Sequence, residues 1–96
     1  MIEGEEVRLR QLPAGGFRHG FHRGLQGNLL EVEFASAEQV EGIQSGWLVE
    51  VESERTIYLG ELQTRQGMKA VIRVEHTVDR PALAAIQDVW DYPDRH

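Results

Sequence analysis

The sequence predicts an all-β fold: a small antiparallel β-barrel with a short connecting helix and an amphipathic helix after the last strand. Three successive segments between Gly46 and Val78 alternate aliphatic residues with charges, which is typical of strands in a half-buried sheet. The polar segments between them have the length of hairpin turns. The apolar parity of the middle segment changes at Gly60, where a bulge can bend the sheet and allow it to curl into a barrel.

The alternation also predicts which side chains of these strands fill the core. The inward face of the first strand carries Trp47, Val49 and Val51. In the middle strand, Ile57 and Leu59 lie on one parity and Tyr58 and Leu62 on the other. The inward face of the last strand comprises Ala70, Ile72, Val74, His76 and Val78. We therefore expect His76 to be a partly buried histidine with a hydrogen-bond partner.

The N-terminal part of the chain has a less regular pattern. Residues 3–12 can form a strand with Val7 and Leu9 on one face. Residues 13–27 contain five glycines, which lose much backbone entropy when they are ordered in a strand or helix. We therefore predict a loop over residues 13–27, with at most a short strand around residues 17–21.

A regular strand and a short helical turn precede the central sheet. Residues 28–35 alternate as a strand, and Ser36 with Gln39 matches a capping box at the start of a helix. Gly46 is expected to end this turn. The side chains predicted to face the core from this region are Leu30, Val32, Phe34, Val40 and Ile43.

A C-terminal helix is predicted over residues 79–92. Asp79 is a suitable N-cap, Pro81 lies in the first turn and Pro93 stops the helix. We expect its apolar stripe to pack on the sheet or across an open end of the barrel, with Trp90 as the main anchor. The stripe consists of Leu83, Ile86, Val89 and Trp90.

Length and composition indicate a single domain over residues 1–96, with the barrel at about residues 5–78. Cysteine is absent, which excludes disulfides, thiolate metal sites and a cysteine nucleophile. The net charge of -6 argues against non-specific nucleic-acid binding. No apolar run approaches the roughly 20 residues that span a bilayer, and the N-terminus is too acidic for a secretory signal. We therefore expect a cytoplasmic protein without membrane association.

The central segment GWLVEVESERTIYLGELQTR, followed by a strand ending RVEHTV, resembles the C-terminal half of PilZ domains, which are bacterial six-stranded barrels often followed by a helix. The resemblance covers residues 27–78. PilZ domains that bind cyclic di-GMP use an RxxxR segment and a D/N-x-S-x-x-G turn. Here Arg18 and Arg23 are one residue too far apart, and HRGLQG keeps only Gly27 of the turn. The resemblance therefore implies an all-β, PilZ-like antiparallel six-stranded β-barrel that is not expected to bind cyclic di-GMP.

Two kinds of site remain as alternatives in the glycine-rich segment. The first is a small-anion or nucleotide site, with Phe17 and Phe21 stacking on a planar ligand, Arg18 and Arg23 pairing its charges, and Gly27 in the adjoining turn. The second is a metal site with two ligands from His19 and His22 and a third from His76 or a carboxylate. The simpler interpretation is a loop with phenylalanines against the barrel and solvated histidines.

No sequence pattern indicates catalysis. Serine-nucleophile motifs, phosphate-binding loops and dinucleotide fingerprints are absent, and a solvated sheet face explains the strand glutamates. We therefore predict a non-catalytic binding or regulatory module without a cofactor, which acts through a protein partner. A curled sheet with an exposed edge also makes a homodimer an open possibility.

Overall fold

The computed structural model describes residues 4–79, which form six strands and one short helix. All strand pairs are antiparallel, and the strands close into a barrel in the order β1-β2-β3-β6-β5-β4. The predicted six-stranded barrel is therefore confirmed. The elements are β1 (Glu6–Gln11), β2 (Arg18–Gln26), β3 (Leu29–Phe34), α1 (Ala37–Val40), β4 (Leu48–Glu52), β5 (Thr56–Gln66) and β6 (Lys69–Asp79).

Most of the predicted inward faces form the core. Val49 and Val51 are completely buried, and the partly buried Trp47 packs against the core cluster that contains them. Burial of these aliphatic side chains supplies the main stabilisation of the barrel. The buried apolar residues are Val7, Leu9, Leu30, Val32, Phe34, Val40, Ile43, Val49, Val51, Tyr58, Leu62, Ala70 and Ile72.

The prediction of a loop over residues 13–27 is wrong for most of β2: the strand allowed around residues 17–21 is present, but it extends over Arg18–Gln26. This strand pairs with β1 through its first four residues and with β3 as far as Gln26. At the buried Gly20, a Cβ atom would lie 2.7 Å from the carbonyl oxygen of Glu33, so the neighbouring backbone requires a glycine there. Pairing on both edges thus outweighs the entropy cost of the glycines.

The prediction that His76 faces the core is also wrong, because His76 is exposed. The register between β5 and β6 shifts between Leu59 and Gly60, so that Leu59 pairs with His76 and Gly60 with Val74. Glu75 is therefore an extra residue in β6, and one extra residue transfers the side chains beyond it to the opposite face. The predicted bulge at Gly60 is confirmed, but β6 and not β5 carries the extra residue.

α1 and its flanking residues close one end of the barrel with Val40 and Ile43. Ser36 is the N-cap residue, as predicted, but its side chain makes no capping hydrogen bond. The Gln39 side-chain oxygen instead accepts a hydrogen bond from the backbone N–H of His19. Within residues 4–79, no helix has the length and apolar character needed to cross a membrane.

The predicted C-terminal helix lies outside the described residues, except for its first position. Asp79 was expected as the helix N-cap, but it is the last residue of β6 and pairs with Thr56 of β5. The strand therefore extends one residue beyond the predicted end of the barrel.

Candidate functional site

Arg18, at the start of β2, contacts the segment that closes the barrel. Its Nη1 donates hydrogen bonds to the backbone oxygens of Gln39, at 3.0 Å, and Glu41. Its guanidinium also lies 5.7 Å from the centre of the Trp47 ring. Because two backbone carbonyls at the end of α1 accept hydrogen bonds from this guanidinium, Arg18 connects α1 to β2.

Arg23 lies on the outer wall. The register of β2 and β3 shifts between His22 and Gly24, which makes Arg23 the extra residue of a bulge. Its Nε donates to the Glu33 carboxylate at 2.7 Å, and its guanidinium lies 5.8 Å from the centre of the Phe21 ring. The charge of Arg23 is therefore already paired within the sheet.

Phe17 lies beneath two arginines of β1. The guanidinium carbons of Arg8 and Arg10 are 4.2 Å and 5.0 Å from the centre of its ring, within the range of cation–π contacts. These arginines pair with Glu52 and, at 2.8 Å, Glu50 of β4. The Phe17 ring is thus part of a charged network that joins β1 to β4.

The residues of the predicted anion site do not share one surface. Arg18 contacts α1 at the closed end, Arg23 pairs on the outer wall, and Gly27 lies in the turn between β2 and β3 with a φ of 60°. The two histidines also lie apart, because His19 is exposed whereas His22 is 2% exposed in the interior. Among residues 4–79, no group of three or more potential ligands is arranged to hold a metal ion.

The interior near the start of β1 contains polar groups among the aliphatic side chains. Tyr58 is 3% exposed, and burial, followed by the nearby Glu5 carboxylate, raises the pKa of its phenol. Hydrogen bonding with Thr56 opposes these effects on the pKa. Tyr58 is therefore held in its neutral form and acts as a core residue.

An acidic cleft of about 530 Å³ adjoins this end of the barrel. Arg8 lies in the cleft but pairs with Glu52. The buried Ser53 hydroxyl lies within a local turn, where it donates to the backbone oxygen of Thr56 and accepts from its N–H. The cleft is lined by Glu5, Glu6, Val7, Arg8, His19, Glu52, Ser53 and Glu54. Its carboxylates disfavour anionic ligands such as nucleotides.

A smaller groove, of about 260 Å³, opens on the outer wall where β2, β3 and β6 run side by side. The register explains it: Gly24 pairs with Glu31, and Glu31 pairs with Val71. A Cβ atom at Gly24 would meet nothing within 4 Å, so β2 leaves this position open. The groove, called the Leu29 groove below, is lined by Arg23, Gly24, Gln26, Leu29, Glu31 and Val71.

Only Arg23 of the groove was a sequence candidate for ligand binding. Gly24 directly follows the bulge residue. A glycine inside a strand is a local sequence signal for a bulge or an open position. Leu29 and Val71 come from distant segments, and their proximity depends on the β3–β6 register. No protein-family model, curated protein or solved structure matches the chain.

Proposed function

We propose that this chain is a non-catalytic binding module, similar to a degenerate PilZ barrel, that acts through contact with a protein partner. The Leu29 groove is the observation that carries this proposal. The proposal includes the predicted C-terminal helix without Asp79, over residues 80–92, whose apolar stripe packs on the barrel. Its parts are a barrel scaffold, one helix and an outer groove that receives a partner side chain.

The composition of the groove suits a protein contact. Leu29 is 46% exposed beside the half-buried Val71, and together they offer an apolar surface. Gln26, Glu31 and Arg23 supply a polar rim. Protein interfaces commonly place one apolar or aromatic anchor in such a pocket and surround it with polar contacts.

The size of the groove favours a side chain over a free small molecule. Its volume of about 260 Å³ falls below the roughly 300 to 1,000 Å³ of typical small-molecule sites. The barrel interior offers no alternative among the described residues, because aliphatic side chains fill it. A partner residue inserted beside Leu29 would bury apolar surface without requiring the barrel to open.

The second candidate function is a small-anion or cyclic dinucleotide site. A cleft of about 380 Å³ beside Phe17 and Arg18 supports it. Glu38 and Glu41 line the same cleft, and Arg18 is already bonded to two carbonyls. An anion would therefore meet two carboxylates and compete with internal hydrogen bonds, which makes this candidate the weaker one.

The proposed contact can be tested by partner capture with two matched variants. Leu29→Glu places a charge in the groove, whereas Met68→Glu places the same charge at a leucine-sized, similarly exposed position in the β5–β6 turn. A partner that is captured by the wild type and by Met68→Glu, but lost with Leu29→Glu, would support the groove. Equal capture by both variants would refute it, provided that both melt like the wild type.

Calorimetric titration with cyclic di-GMP tests the second candidate. Each charge-assisted contact contributes roughly 1.5 to 3 kcal/mol, so arginines engaged elsewhere leave little affinity. We expect no saturable binding at micromolar concentrations. Saturable binding that Arg18→Ala or Arg23→Ala abolishes would replace the protein-contact proposal with nucleotide binding.

A further inference from the structure

An apolar strip crosses the outer wall of the barrel over three neighbouring strands. Ile57 of β5 pairs with Val78 of β6, and Leu59 lies two residues further along the same face of β5. Leu48 of β4 pairs with Glu61, which places it diagonally from Leu59, and it is 58% exposed. We call these residues the apolar strip: Leu48, Ile57, Leu59 and Val78. The strip lies on β4, β5 and the end of β6, whereas the Leu29 groove lies on β2, β3 and the start of β6.

The carboxylates that border the apolar strip are ion-paired: Glu61, opposite Leu48, bonds to Arg73 of β6 at 2.8 Å, and the two on β4 are paired away from the strip. Glu50 and Glu52 stand opposite Leu59 and Ile57 on β4. Their carboxylates bond to Arg10 and Arg8 on β1, on the far side of β4 from the strip. The strip is thus bordered by an ion-paired surface, and covering it would not leave these two carboxylates buried without a partner.

The chain itself supplies a segment of suitable length and pattern for this surface. Residues 80–96 follow Asp79, which is next to Val78 in β6. Their stripe from Leu83 to Trp90 would measure about 10 Å at helical rise. From Val78 to Leu48 the strip crosses two strand spacings and also runs four residues along β5, about 17 Å in all. A stripe of about 10 Å that starts at Val78 would therefore reach past Leu59, with its far end towards Leu48.

The tether between strand and stripe distinguishes this surface from the Leu29 groove. The four residues from Asp79 to Leu83 reach at most about 14 Å. The apolar strip begins beside Asp79, whereas Leu29 pairs with Arg73, about 20 Å back along β6. Leu83 can therefore reach the apolar strip but not the groove.

We propose that residues 80–96 cover the apolar strip, with Leu83 over β6 and Trp90 towards Leu48. This inference rests on the helix included in the proposed function and adds its docking surface. It assigns the outer wall of β4–β6 to an intramolecular contact and leaves the Leu29 groove accessible to a partner.

Tryptophan fluorescence in the full chain provides the first test. The chain has two tryptophans, so Trp47→Phe leaves Trp90 as the sole reporter. We expect Trp90 to be shielded from acrylamide in this parent protein. Leu59→Glu should raise its quenching towards that of the urea-unfolded chain, whereas Leu29→Glu should not. Quenching in the parent equal to that of the unfolded chain would overturn the proposal, as would an equal response to both variants.

Disulfide trapping provides a second test that does not place a charge in the strip. Because the chain lacks cysteine, the pair Leu59→Cys with Val89→Cys can be compared with Leu29→Cys and Val89→Cys. Proximity should make the first pair crosslink at least about tenfold faster. Similar rates would overturn the proposed surface.

Failure of the helix and failure of its docking surface give different results. A circular dichroism spectrum in which residues 80–96 contribute no helical signal would refute the helix itself. Helical signal combined with slow crosslinking of both pairs would refute only the docking surface. Loss of partner capture with Leu29→Glu reports on the groove and is independent of either outcome.

Discussion

Two glycines at bulges of the same barrel have opposite surroundings. Gly60 is buried, and a Cβ atom there would lie 2.9 Å from the carbonyl carbon of Arg73 and closer still to its oxygen. Gly24 follows the bulge residue Arg23, and a Cβ atom there would meet nothing within 4 Å. The first glycine permits close backbone packing, whereas the second leaves the outer wall open.

The comparison separates structural from functional use of one residue type. The bulge at Gly60 changes the parity of β6 and lets two strands approach within the closed barrel. The bulge at Arg23 lies beside a groove and contributes little to the core. A glycine in a strand therefore indicates a site only when the space that its missing side chain leaves is accessible.

The largest expected effect is that of Gly60→Val. Its Cβ would overlap the Arg73 backbone, which belongs to a paired strand and cannot move independently. We expect the free energy of unfolding to fall by at least about 3 kcal/mol, measured by urea denaturation. Gly24→Val is the matched control and should cost far less. Equal losses would mean that the two bulges do not differ as described.

Arg18→Ala should have the next largest effect and should exceed Arg23→Ala. Arg18 donates to two backbone carbonyls, and its loss should lower the free energy of unfolding by about 1.5 kcal/mol. The exposed Arg23–Glu33 pair should contribute less than about 1 kcal/mol. Urea denaturation of both variants measures this difference, and the reverse order would place the stabilising contact at the open bulge.

Gly24→Ala should leave stability nearly unchanged or raise it by up to about 1 kcal/mol, because it reduces the entropy of the unfolded chain without a clash. The same methyl group narrows the Leu29 groove and should weaken binding of the captured partner. A substantial loss of stability, detected by thermal melting, would show that the open bulge is needed for the fold.

The smallest expected effect concerns the pH dependence of stability. The folded state raises the pKa of Tyr58, so above pH 10 the folded protein retains a proton that the unfolded chain releases. Stability from this group is complete below the unfolded pKa and is lost as the pH rises through the folded pKa. Tyr58→Phe should therefore show a shallower alkaline loss of stability than the wild type, and parallel curves would contradict the stated environment.

Much of the barrel could be predicted because several of its strands, such as β3 and β4, alternate apolar with charged residues. Leu30, Val32 and Phe34 face the core as expected, because one side of β3 is apolar and the other is charged. β2 was missed because its inward positions are Gly20 and His22, which have no apolar pattern. Its pairing partners supply the information that its own sequence lacks.

Less of the candidate site than of the barrel could be predicted from the sequence. Arg18 and Arg23 were candidates from the sequence, but their contacts depend on α1 and on the bulge. The Leu29 groove depends on the register that joins Leu29 to Arg73 and Glu31 to Val71. Such pairings between distant segments are determined by the whole sheet and have no local sequence signal.

The pairing of β3 with β6 has a consequence for synthesis of the chain. β3 ends at Phe34, but the part of β6 that pairs with its second edge, residues 69–73, comes much later in the chain. A ribosome adds residues from the N-terminus, so β3 emerges with one unpaired edge and keeps it until the chain has been made as far as Arg73, about 39 residues later. Its glutamates, Glu31 and Glu33, would keep the outer face of this waiting strand charged and hinder association with other nascent chains.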